Sequence, residues 1–147
     1  MKQFIVLVSL IAFAMSGSVI AGETSSKAGT KQYFVNLLDG AVVSSPVKVI
    51  FGLSGMGVAP AGVDKEHTGH HHILIDRPAL GKGEDGEAEF EQNLPADKNH
   101  IHFGKGQTET MLELAPGKHT LQLVLGDKDH IPHKPPIYSE VITITVK

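Results

Sequence analysis

Beyond residue 32 the chain alternates apolar and polar positions at the strand period of two. Val47, Val49, Phe51 and Leu53 fall on one face of a first clear strand, and Leu121, Leu123 and Leu125 do the same in a second. Ile142, Ile144 and Val146 alternate with Thr143 and Thr145 in a third, within a run from Tyr138 to Val146. Shorter runs at Tyr33–Leu37, His70–Asp76, Asn99–Phe103 and Thr108–Leu114 bring the count to about seven. Turn chemistry divides them: Asp39-Gly40, the glycine- and proline-rich stretch 54–62, and Ala115-Pro116-Gly117-Lys118. No stretch past the first 21 residues repeats apolar side chains at i, i+3, i+4 and i+7 over three turns. The pattern predicts an all-β fold, an immunoglobulin-like antiparallel β-sandwich of about seven strands forming one domain over residues 32–147.

Two stretches depart from the alternation. Residues 77–98 carry Glu84, Asp85, Glu87, Glu89 and Glu91 among glycines and alanines, without the ligand spacing of an EF-hand. They read as an irregular, solvated acidic loop. The first 21 residues place Lys2 before the apolar run Phe4–Met15 and end in Val19-Ile20-Ala21, the layout of a cleaved signal peptide. The apolar run is short of the ~20 residues of a membrane span. The expectation is a periplasmic or secreted protein with no membrane span after signal cleavage at Ala21. Residues 22–31 are small and polar and read as a flexible lead-in.

Composition narrows the class. Without the leader the net charge is about −4, and there is no basic run, so nucleic acid is not an expected partner. The chain has no cysteine, so neither disulfides nor thiolate ligands are available, while nine histidines are present. Most are grouped: Gly69-His70-His71-His72 opens a strand, His100-Ile101-His102 lies in another, and His130-Ile131-Pro132-His133 sits in a proline-stiffened loop.

A family resemblance rests on long motifs. They are 51–62 (FGLSGMGVAPAG), Gly69-His70-His71-His72, 99–110 (NHIHFGKGQTET) and 121–127 (LQLVLGD). In these the chain resembles a bacterial exported family described only as domain of unknown function 4399, over roughly Tyr33 to Val146. The resemblance implies a small periplasmic protein of Gram-negative bacteria and brings no activity with it. The acidic stretch near Gly81–Phe90 is longer than the family would lead one to expect.

Chemistry must come from the histidines. Two imidazoles two apart on a strand leave the same face with Cα atoms about 7 Å apart, a spacing that suits two ligands of one metal. His70, His72, His100, His102, His130 and His133 are therefore the candidate ligands of a transition metal. All-nitrogen ligation suits copper or zinc ions. Asp76 and Met56 are accessory candidates, the thioether favouring Cu(I). His119 is in phase with Leu121 and Leu123 and reads as a satisfied core or edge residue; for His67 and His71 a structural role weighs as much as a functional one.

Two other function classes stand beside metal binding. One is an interaction module whose histidine-rich loops meet an envelope protein and titrate between about pH 5 and 8. The other is a metalloenzyme, since His100-Ile101-His102-Phe103-Gly104 faintly resembles copper–zinc superoxide dismutase. Against that stand the missing cysteines and the lack of any match elsewhere. No serine has the surroundings of a nucleophile, so no catalytic residue is assigned.

Overall fold

A computed structural model describes residues 24–147. The expected leader at 1–21 lies outside the described residues. Among the described residues nine strands form: β1 (Lys31–Phe34), β2 (Val42–Val43), β3 (Val47–Ser54), β4 (Gly57–Val58), β5 (Thr68–Ile75), β6 (His100–His102), β7 (Glu109–Leu112), β8 (Gly117–Gly126) and β9 (Ile142–Val146). A three-stranded sheet has the order β1-β3-β7, and a six-stranded sheet the order β2-β9-β8-β5-β4, with β6 also on β5. The architecture is an all-β sandwich. Seven strands exceed two residues; β2 and β4 are short additions that pair parallel to β9 and β5, so the larger sheet is mixed rather than purely antiparallel.

The predicted alternation becomes the core. Val47, Val49 and Phe51 face Ile73, Ile75, Leu121, Leu123, Ile142, Ile144 and Val146 across the two sheets. Each such side chain, fully buried, contributes about 1.5–3 kcal/mol. The final strand is shorter than the run Tyr138–Val146: Tyr138 makes only an isolated bridge to Val124, and regular pairing begins at Ile142.

The larger sheet is covered on both faces, which is why β5 is buried at every position from Gly69 to Ile75. Its inner face carries His71, Ile73 and Ile75; its outer face carries His70, His72 and Leu74. Residues 77–98 close that outer face. Leu80 and Leu94, with Phe90 beside them, pack on Leu74 and Val124 as a second small core. Glu84, Asp85, Glu87 and Glu91 are exposed as expected, but Glu89 turns inward to accept from Arg77 at 2.8 Å and from the Gly81 N–H at 2.7 Å. A single 3-10 turn, Gly86–Phe90, is the one helical element among the described residues, and no helix there is long and apolar enough to cross a membrane. In the stretch expected as a lead-in, Thr24 and Ser26 bond to the backbone of Lys134, and β1 begins at Lys31.

Candidate metal centre

The site grows from the outer face of β5. Strand alternation sends His70 and His72 out together, and the register with β6 sets His102 opposite His72 and His100 opposite Leu74. On the other side β8 sets Gly126 opposite His70 and Val124 opposite His72. Gly126 has to be small, since a Cβ there would stand 2.8 Å from Nε2 of His72. Gly104 is required in the same way, because a Cβ would overlap the His102 ring. Past Gly126 the chain turns back over the sheet and brings in His130, at a φ of 64°.

Three ring nitrogens meet there. Nε2 of His70 lies 2.9 Å from Nε2 of His72 and 3.0 Å from Nδ1 of His130, and ligand atoms of all three residues lie within 4.8 Å of one another. His102 forms the outer wall, with its ring centroid 4.7 Å from that of His130 and 5.5 Å from those of His70 and His72. Burial is graded: His70 and His72 are fully enclosed, His130 is half-buried and His102 is exposed. Nδ1 of both His70 and His72 is buried with no partner among the described residues.

Electrostatics keep the rings neutral. Burial, then the neighbouring rings of His130 and His102, hold His70 down to about 4, with Asp127 pulling the other way. Burial and the rings of His70, His100, His102 and His130 push His72 down to about 2. His102 is lowered by burial and by His130. A neutral imidazole offers one lone pair, on the nitrogen that does not carry the proton, and ring nitrogens of His70, His72 and His130 converge here. His70, His72 and His130 could hold a metal ion.

The other candidates sit elsewhere. His100 stands at 5.3 Å from the His72 ring, but its Nδ1 faces the Arg77 guanidinium at 3.1 Å. Arginine can only donate, so Nδ1 accepts and the ring proton of neutral His100 is on Nε2, leaving that nitrogen no lone pair for a metal. Burial and Arg77 hold its pKa down to about 4. His133 lies on the opposite side of β5, where Nε2 donates to the Thr68 carbonyl at 3.1 Å and the ring packs against Gly69. The loop therefore delivers His130 and His133 to opposite faces of the sheet.

His71 points into the core beside Phe51, at 5.0 Å between centroids, and accepts from the Gln32 amide at 2.9 Å. His67 pairs with Glu66 at 3.4 Å. Neither accessory candidate is at the site: Met56 Sδ accepts from the Lys27 N–H at 3.5 Å, and Asp76 bonds His119 at the far end of β5. His119 is satisfied on both nitrogens, as its phase with the leucines suggested. Asp127, Gly126 and Arg77 also shape the centre, and no spacing in the chain marks them: the first two lie in the motif 121–127 at the head of the proline-stiffened loop, and Arg77 opens the acidic stretch 77–98.

Comparison with known proteins gives a family and no function. No curated protein and no solved structure matches the chain. The family described as a domain of unknown function (DUF4399) matches residues 49–147, which include every histidine of the centre. The chain belongs to that family.

Proposed function

We propose that the protein binds one transition-metal ion, copper or zinc, through His70, His72 and His130, with His102 at the solvent side of the centre. The observation that carries this reading is the meeting of ring nitrogens from three histidines at 2.9 and 3.0 Å on a buried sheet face. Two imidazole nitrogens bound at 2.0–2.1 Å stand about 2.9 Å apart when they subtend a right angle at the metal. Little rearrangement is needed to load such a centre. Imidazole suits both copper and zinc, and with the Met56 sulfur accepting from the Lys27 N–H the three converging donors are all nitrogen.

The fourth position faces His102 and solvent, an arrangement that suits ligand exchange and hence storage or delivery of the ion. The signal-peptide pattern of residues 1–21 supports a place for this activity in the periplasm or outside the cell. Isothermal titration of the metal-stripped protein with Cu(II) and Zn(II) at pH 7 tests the proposal, beside a His70→Ala/His72→Ala/His130→Ala variant. One tight site per chain, weakened at least ~100-fold in the variant, is expected. Weak, multiple binding that ignores the substitutions would refute it.

A further inference from the structure

Two of the three converging nitrogens come from one strand and need no outside help to stay together. The third comes from a loop, and the loop is organised by a residue with no other evident role. Asp127 is 1 % exposed. Its Oδ1 accepts from the N–H groups of Asp129 and Ile131 at 2.8 and 2.9 Å. Its own N–H donates to the Ile131 carbonyl at 2.8 Å, and its carbonyl accepts from the His130 N–H at 3.1 Å. Side chain and backbone of Asp127 thus close the turn on which His130 is carried. That turn holds His130 in the left-handed region, where a residue with a Cβ stays only if its surroundings impose it. From outside, the Leu94 N–H donates to the His130 carbonyl at 2.8 Å.

The remaining carboxylate oxygen is taken by a distant segment. Thr24 Oγ1 donates to Asp127 Oδ2 at 2.6 Å, across 103 positions of sequence. The Thr24 carbonyl accepts from the Lys134 N–H at 3.0 Å, and the Ser26 N–H donates to the Lys134 carbonyl at 2.9 Å. Residues 24–26 therefore lie as a strap along the 127–134 loop.

We infer that Asp127, locked by the Thr24 hydroxyl, is the positioning residue of the proposed centre, and that the strap at Thr24–Ser26 is a working part of it. This rests on the metal-binding reading above and adds a determinant outside the family-matched residues 49–147. Loss of the hydroxyl leaves a buried carboxylate oxygen without its donor, and the turn that presents His130 is then free to relax.

The test compares the full chain with Thr24→Val, Thr24→Ser, Asp127→Asn and, as a control remote from the centre, His119→Ala. Affinity for Cu(II) and Zn(II) is measured by titration well below every variant's metal-free melting temperature, and the Cu(II) forms are compared by electron paramagnetic resonance. Thr24→Val should weaken binding about tenfold and Asp127→Asn about 100-fold, both with altered Cu(II) spectra. Thr24→Ser should restore affinity to within about twofold, since it restores the hydroxyl. The His119 control should lower the melting temperature yet leave affinity and spectrum unchanged, which separates positioning from general stability. Should Asp127→Asn fail to fold, the Thr24 pair carries the test. Wild-type affinity and spectrum in Thr24→Val would overturn this inference and leave metal binding standing. Absence of binding by the wild-type chain would overturn both.

Discussion

The two ends of β5 hold histidines in opposite circumstances. At the Asp76 end, His119 has a partner on each nitrogen: the Asp76 carboxylate at 2.7 Å and the Ala115 carbonyl at 2.8 Å. Those bonds, with Asp76 first among them, raise its pKa. At the other end His70, His72, His102 and His130 have mainly one another, and burial with mutual repulsion lowers the pKa of the first three. One residue type therefore serves as a clasp in one place and as a set of free lone pairs in the other. The neighbours decide which. A histidine bonded to acceptors on both sides is occupied as a donor, whereas histidines that face each other can exchange their mutual N–H···N contacts for bonds to a shared metal.

Substitutions and pH should separate the two ends further. On the sheet itself, the largest effect on binding short of deleting a ligand should come from Gly126→Ala. Its Cβ would stand 2.8 Å from Nε2 of His72 and displace the ring. Copper or zinc affinity should fall at least ~10-fold by titration, with the fold intact by circular dichroism, since Gly126 does not need a positive φ. Unchanged affinity would mean that His72 is not a ligand.

Next comes the pH dependence of the metal-free protein, where the two ends have opposite signs. The folded pKa values of His70, His71 and His100 are lowered to about 4 against 6.5 unfolded. Below pH 6.5 the unfolded chain takes up protons that the folded one refuses, so stability should fall as pH drops from 6.5 toward 4. His119, with its raised folded pKa, contributes stability that is fully present below 6.5 and is lost as pH rises through the folded value. Urea unfolding at a series of pH values should show the acid-side loss in wild type, and the high-pH decline should disappear in His119→Ala. A flat profile between pH 4 and 6.5 would contradict the neutral, buried state of the cluster.

Smaller effects test the residues that the structure keeps out of the centre. His119→Ala should cost about 1 kcal/mol of stability. His133→Ala strips the Thr68 carbonyl of its donor and should cost about 1–3 kcal/mol, while metal affinity stays within about threefold. Met56→Leu should change neither stability nor affinity measurably, because its sulfur accepts from the Lys27 N–H at the exposed surface. A tenfold loss of affinity in either of the last two would redraw the donor set.

Much of the fold was legible in the sequence because strand period is a local property. The faces of β3, β8 and β9, and the split of β5 into His70, His72 and Leu74 against His71, Ile73 and Ile75, follow from alternation alone. The covering of both faces of β5 was not legible. It depends on residues 77–98 folding back as a lid, and their composition reads as solvent-facing apart from Leu80, Phe90 and Leu94. The histidine pairs were visible too, but the pairs were not the unit the site uses. From each of two pairs the structure brings one member into the centre's wall and leaves the other aside: His102 rather than His100, His130 rather than His133.

The sandwich, the shared face of His70 and His72, and the lack of thiolate ligands are set locally, by a two-residue period and by composition. Which further histidines come near is set by contacts between distant segments. The register of β6 on β5, the course of the loop after Gly126 and the reach of Thr24 to Asp127 each join residues far apart in the chain. Their physical cause is long-range: strand register follows from core packing, and a loop is fixed by whichever distant donors satisfy its buried carboxylate.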